Sequence, residues 1–238
     1  MFTYWYLYIL QVGCLKLSAV SLCHIFGGGY KCDTENKVDV QENGDKEGSD
    51  SSKAASRIKS SIISLINGIE KRCIYRVSKI PSHAIRMFFY RHIFRIAMAK
   101  NVVVYSGAIL RKPSYISIGK STVVGDRCEL DGRGGLTIGS DCNLSSEVHI
   151  WTAQHDPQSS DFEFVKKPVR IGDHCWISSN TVILPGVKVG DGVILAAGAV
   201  LAKDAEPYGI YAGVPAKKIG ERKRDLTYHF DGGHDWFM

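Results

Sequence analysis

Of the eight histidines in this 238-residue chain, His155 falls inside an interruption of an otherwise regular repeat, in the run Trp151-Thr152-Ala153-Gln154-His155-Asp156-Pro157. An imidazole titrates near neutral pH, so a histidine beside a substrate can take a proton from a hydroxyl and pass it on. The alternative is a loop histidine on the surface with no role. Asp156 is a candidate for orienting the ring, although adjacent side chains seldom point the same way. His149 reads equally as a surface residue or a substrate-cleft residue, and His174 is expected to face solvent. Asp131 and Asn143 suit the binding of a ligand's hydroxyl groups and suit turns equally well. His149, His155 and His174 also supply the count for a three-histidine zinc site, provided that two parts of the chain and a neighbouring chain bring them together.

A repeat must position these residues. From Ile171 to Asp204 an aliphatic residue takes every sixth position: Ile171, Ile177, Ile183, Val189, Leu195 and Leu201. That period fits neither a helix face nor a half-buried strand. It predicts a parallel β-helix, with one short strand and a corner per unit and three units per turn of a triangular core. The glycine after the aliphatic (Gly172, Gly190) is expected to give the corner its backbone freedom. Ile138, Leu144 and Ile150 continue the phase upstream, as do Ile118, Val124 and Leu130. Leu130 and Ile138 are eight apart, which predicts a two-residue bulge within 131–135. Ile150 and Ile171 are twenty-one apart, three more than a full turn of eighteen, so that excess is expected to leave the coil as a loop, and the interruption carries His155. Residues 102–116 should enter the coil with looser phase, with Arg111-Lys112-Pro113 at a surface corner.

Four motifs tied to this phase carry a resemblance: Ile150 to Pro157, Ile183-Leu184-Pro185-Gly186-Val187, Ala197-Gly198-Ala199-Val200 with Lys203-Asp204, and Tyr211-Ala212-Gly213-Val214-Pro215-Ala216-Lys217-Lys218-Ile219. In these the chain resembles the hexapeptide-repeat acyltransferases, in the branch that O-acetylates sugars in capsule and lipopolysaccharide synthesis, related to maltose and galactoside acetyltransferases. The resemblance implies a mainly β fold, a left-handed parallel β-helix with an N-terminal helical cap, assembled as a homotrimer. It implies acetyl-CoA as donor, a sugar or glycan precursor as acceptor, no nucleic acid partner and no metal. His155 matches the family's catalytic histidine, the general base of a direct transfer, and no residue looks like a covalent acyl carrier. Small residues near Ser179, Ala196, Ala197 and Gly198 would admit the pantetheine arm, and Lys203, Lys217 and Lys218 would meet the phosphates. Trp176 matches a family tryptophan near that groove, with a plain core or interface tryptophan as the alternative. Asp131, Asn143 and His149 are the acceptor candidates. Ser178 and Ala202 depart from the family's usual glycine and threonine. The rival readings are a serine O-acetyltransferase-like enzyme, a zinc carbonic-anhydrase type of β-helix and a non-catalytic scaffold; the long helical N-terminal domain of the first has no match here.

Composition bounds the rest. The net charge of +6 is unevenly placed: residues 57–100 hold ten Lys or Arg against Glu70, a net +9 that leaves −3 for the remainder. Seven cysteines, with no Cys-x-x-Cys pair, argue against a zinc knuckle and a disulfide framework. Cys128, Cys142 and Cys175 each lie four residues after a core aliphatic, in a slot for small or β-branched side chains, and read as packing residues in a reducing, cytoplasmic compartment. Residues 1–26 are apolar and aromatic but interrupted by Gln11, Lys16 and His24, which fits a signal peptide or a membrane span poorly. Residues 27–56 are acidic and serine-rich and read as a disordered linker. Residues 57–100 form a basic helical segment. Its second helix, from His83 to Ala99 with Ser82 as N-cap, is expected to close the end of the coil; the other reading, which could coexist with the first, is contact of 83–100 with an anionic membrane, at the inner face of which the protein would then sit. The β-helix domain spans 101–220, and 221–238 is an irregular tail.

Overall fold

The computed structural model describes residues 49–233 of the chain, with side chains from 57 onward. The expectations for 1–26, and for the linker up to residue 48, lie outside the described residues. The chain divides into two units, 1–60 and 61–238. The described part of the first is one end of helix α1 (Ser49–Ser78), which therefore begins inside the expected linker. Ala54 and Ala55 are strong helix formers and need no buried face to favour that conformation.

In the second unit α1 is followed by α2 (His83–Phe88) and a π turn (Phe89–Ile93). Ser82 holds the N-cap position of α2 without a side-chain hydrogen bond. The helix stops well short of Ala99. Arg95 adopts a φ of 57° and reverses the chain, because Met98 is already the first member of the six-residue series and must lie in a strand. Met87, Tyr90, Phe94 and Ile96, with Ile74 and Val77 of α1, are buried in one cluster with Val102 and Val104, so the helices close the first coil as a cap. Arg86 is buried within it and donates to the carbonyls of Pro81 and Val104, at 2.9 and 3.4 Å.

The remainder is a left-handed parallel β-helix with three sheets. The first sheet stacks β1 (Ala97–Met98), β4 (Ile116–Ile118), β7 (Leu136–Ile138), β12 (Val169–Ile171) and β15 (Lys188–Val189). The second stacks β2 (Val103–Val104), β5 (Val123–Val124), β8 (Asn143–Leu144), β13 (Trp176–Ile177), β16 (Ile194–Leu195) and β18 (Gly209–Ala212), and ends on the antiparallel β19 (Lys217–Glu221). The third stacks β3 (Ile109–Arg111), β6 (Glu129–Asp131), β9 (His149–Ile150), β14 (Val182–Ile183) and β17 (Val200–Leu201). Every residue of the predicted series from Ile118 to Leu201 is buried, and the phase reaches back to Leu110, Val104 and Met98. Residues 102–116 therefore pair in register, and the looseness expected there is confined to the eight-residue step from Leu110 to Ile118. Lys112 is exposed at its corner while Pro113, in a 3-10 turn (Pro113–Tyr115), is buried.

The repeating glycine has a different reason from the one expected. At the corners that leave the first and second sheets the left-handed residue lies three positions after the aliphatic, as at Ser121, Asp141, His174 and Asn180 with φ from 54° to 59°. The glycine directly after the aliphatic is there because the next coil lies against it: a Cβ at Gly139 would stand 2.5 Å from the carbonyl oxygen of Gly172. Three positions after these glycines, Cys142 and Cys175 are buried and donate to the carbonyls of Gly172 and Gly190, at 3.0 and 3.1 Å. Burial pushes the Cys128 thiol up to about 11, and all three cysteines are 0% exposed, as packing side chains are.

Corners between the third and first sheets absorb all the excess length. Leu110 to Ile118, Leu130 to Ile138 and Ile150 to Ile171 are the three long spacings, and each crosses that edge, so the last is one step of six with fifteen residues added and not the expected full turn with three. On the opposite side, between the first and second sheets, the tail runs back along the stack. Arg222 and Tyr228 donate to the carbonyl of His174 at 2.7 and 3.0 Å, His229 lies 3.0 Å from Asp141, and Gly232 packs on Asn101 of the first coil. The ring of His174, expected in solvent, is half-buried edge-on to Tyr228.

Candidate active site

The largest outgrowth is a β-hairpin of β10 (Ala153–His155) and β11 (Phe164–Lys166), in which His155 pairs with Phe164. Asp156 shapes its turn, accepting from the amide of Gln158 at 2.9 Å, while its own amide donates to Glu163. Asp156 therefore serves the turn and does not orient His155. Phe162 does, from the left-handed conformation at φ 57°. Its carbonyl oxygen lies 2.7 Å from His155 Nδ1 and its ring stacks on the imidazole at 4.0 Å. A carbonyl only accepts, so Nδ1 carries the proton and Nε2 presents a lone pair. The imidazole is exposed, held on one side by Phe162 and flanked by Phe164 at 5.3 Å. Nothing in the sequence marked Phe162 for this task.

Asp131 cannot meet an acceptor sugar. It is 0% exposed, it accepts from the Arg133 side chain at 2.9 and 3.1 Å, and it accepts the amide of Thr152 at 3.1 Å. Burial works against its charge, but these donors outweigh it and hold the carboxyl below the usual carboxylate range. Thr152 closes the arrangement, donating to the Asp131 carbonyl and accepting from the amide of Gly134. Asp131 therefore fixes the corner from which the hairpin springs. Arg133 in turn lies over the ring of Phe164 at 5.4 Å.

His149 stands on the outer face of the third sheet, partly exposed, with Nδ1 at 3.6 Å from Glu129. Glu129 is directly opposite it in the ladder and is held by Arg111 at 2.6 Å, whose guanidinium also covers Trp151 at 5.2 Å. Glu129 was not singled out from the sequence, and Arg111 was read only as part of a surface corner. The register 109, 129, 149 points to Glu129, since each of these positions precedes a core residue by one, whereas Arg111 follows Leu110 and lies outside that register.

Asn143 and Trp176 are neighbours on the second sheet, away from the hairpin edge. Trp176 is 46% exposed, with its indole N–H 3.4 Å from the Ser145 hydroxyl. Ser179, Ala196, Ala197 and Gly198 lie on the edge between the second and third sheets, where the amide of Gly198 donates to the Ser179 carbonyl at 2.9 Å. Lys217 pairs with Ala212 at the end of the same edge. Lys203 is exposed on the other side, at the hairpin edge. Lys218 is occupied: its ammonium lies 3.0 Å from both Glu206 and Glu221, and these bonds raise its pKa. The structure thus gathers most donor candidates on one edge and His155 on another. His149, His155 and His174 occupy three separate places, and among the described residues no group of three potential ligands could hold a metal ion.

Comparison with known proteins bears on this arrangement. Residues 168–203 match the family described as bacterial transferase hexapeptide (six repeats). An Escherichia coli (strain K12) protein with the provisional name colanic acid biosynthesis acetyltransferase is 31% identical over 134 residues, which are 56% of this chain and 74% of that protein. The chain belongs to the hexapeptide-repeat acetyltransferases. The galactoside O-acetyltransferase of E. coli (strain K12) is 34% identical to this acetyltransferase over 99 residues, 40% of this chain and 49% of that one. A hexapeptide-repeat acetyltransferase of Vibrio cholerae solved with acetyl coenzyme A superimposes with a TM-score of 0.61 at 25% identity, covering 69% of this chain and 91% of that one. A galactoside acetyltransferase in complex with coenzyme A gives the same TM-score and identity, over 69% and 86% of the two chains.

Proposed function

We propose that this acetyltransferase moves an acetyl group from acetyl-CoA to a hydroxyl of a sugar or glycan precursor, with His155 as general base in a direct transfer. The observation that carries the reading is the His155–Phe162 pair, which leaves Nε2 free to accept a proton on an exposed hairpin. The relatives named for colanic acid biosynthesis and for galactoside support the acceptor class.

The edge bearing Ser179, Ala196, Ala197 and Gly198 fits a narrow donor arm. A Cβ built on Gly198 would meet nothing within 4 Å, and Ala197 is exposed. Acetyl-CoA, when bound, supplies a thioester with an electrophilic carbonyl carbon. His155 Nε2 accepts the acceptor hydroxyl's proton as the oxygen–carbon bond forms. As the carbon–sulfur bond breaks, the imidazolium returns that proton to the departing sulfur, so the base is regenerated. Phe162 keeps the ring aligned throughout and its carbonyl stabilises the imidazolium.

A homotrimer is part of the proposal. Within one chain the donor edge and His155 lie on different edges of a triangular prism, and a neighbouring copy would bring one protomer's hairpin to another's donor edge. A cytoplasmic location accords with the free thiols of Cys128, Cys142 and Cys175. Incubating the protein with acetyl-CoA and a panel of nucleotide sugars and glycan intermediates, followed by mass spectrometry, should reveal one product heavier by a single acetyl group. Acetyl-CoA hydrolysis with no acetylated sugar would reject the acceptor class.

A further inference from the structure

We infer that α1 docks on an anionic lipid surface. Ile62, Leu65, Ile66 and Ile69 recur at three- and four-residue spacing, share one face of α1, and are all exposed, Leu65 at 64%. The same spacing runs on from Leu65 and Ile69 into Arg72 and Arg76, both exposed, with exposed Lys79 just beyond the helix. Glu70 is the one acid between residues 57 and 79. The stripe is thus apolar at one end and cationic at the other.

This charge pattern selects the partner. A second copy laid stripe to stripe in parallel would set Arg72 and Arg76 against their own counterparts. A leaflet containing acidic phospholipid matches both ends, since the headgroup boundary takes the isoleucines and leucine while phosphate oxygens take the guanidinium groups. Contact is at the surface, because among the described residues no helix is long and apolar enough to cross a membrane. The segment 83–100, to which the sequence assigned this contact, has Met87, Tyr90, Phe94 and Ile96 in the cap, and Arg91 donates to the carbonyls of Met98 and Ala99. Its exposed large apolar side chains are Ile85 and Phe88 alone.

The test is co-sedimentation of the full chain with phosphatidylcholine vesicles, with and without phosphatidylglycerol, beside two variants: Ile62→Ser/Leu65→Ser/Ile69→Ser and Arg72→Glu/Arg76→Glu. All substituted side chains are exposed, and circular dichroism with light scattering checks that fold and oligomer mass are kept. The parent should pellet with the acidic vesicles alone and be released by high salt, and each variant should bind about tenfold more weakly. Equal binding by parent and variants, or equal binding to both vesicle types, would assign the affinity to another part of the chain, such as the apolar residues 1–26, and overturn the inference. A change in oligomer mass in the serine variant, with vesicle binding intact, would give the stripe to a second copy and overturn it as well.

Discussion

The imidazole of His155 donates its Nδ1 proton to the carbonyl of Phe162 over 2.7 Å while the two rings lie face to face at 4.0 Å. One residue thus sets both the tautomer and the tilt of the base. Phe162→Ala removes the stack and leaves a carbonyl on a residue that adopts the left-handed region at some cost. Turnover should fall by about ten- to a hundredfold with KM for acetyl-CoA unchanged, as steady-state kinetics would show.

Asp131 should make the hairpin's base sensitive to acid. Its folded pKa is depressed, so its contribution is complete above the unfolded value of about 3.9 and is lost as pH falls through the folded value. Asp131→Asn leaves Arg133 without its carboxylate partner and should cost about 2 kcal/mol at neutral pH. Urea unfolding of both proteins should show that gap shrinking as pH falls through the folded pKa, because the parent then loses the same charge.

Two glycines should respond differently, one in stability and the other mainly in donor binding. Gly139→Ala drives a methyl into the neighbouring coil's backbone and should destabilise the fold by about 3 kcal/mol. Gly198→Ala meets open space and costs only the left-handed conformation, about 1 kcal/mol. It should raise KM for acetyl-CoA several-fold, since the methyl enters the proposed donor edge. Thermal melts and kinetics on the two variants separate coil packing from donor binding.

Trp176 is exposed on the second sheet with only a long indole N–H bond to Ser145, so Trp176→Ala should leave the melting temperature nearly unchanged. If it lines the donor edge, KM for acetyl-CoA should rise by about tenfold while kcat holds.

The coil was legible because each rung repeats one demand, an aliphatic pointing inward, and Ile118 through Leu201 meet it without exception. His155 was legible because a break in so regular a series must leave the core. Asp131 was not: a bulge residue with a carboxylate looks the same in sequence whether it faces a sugar or Arg133. Nor was Phe162, whose service comes from a backbone carbonyl that any residue carries. The end of the second helix was misplaced because Ile96 and Met98 fit a helical face and a strand equally, and only stacking on Ile118 decides between them. The tail has no period to read, since its contacts with His174 and Asp141 are made one at a time across successive coils.

The measurement that bears most directly on the mechanism is kcat for acetyl transfer by His155→Ala beside the Kd of acetyl-CoA for the same protein. Loss of the general base should lower kcat by about 10²- to 10⁴-fold with Kd within about twofold of the parent. A variant that turns over within about tenfold of the parent would show that another group removes the hydroxyl proton.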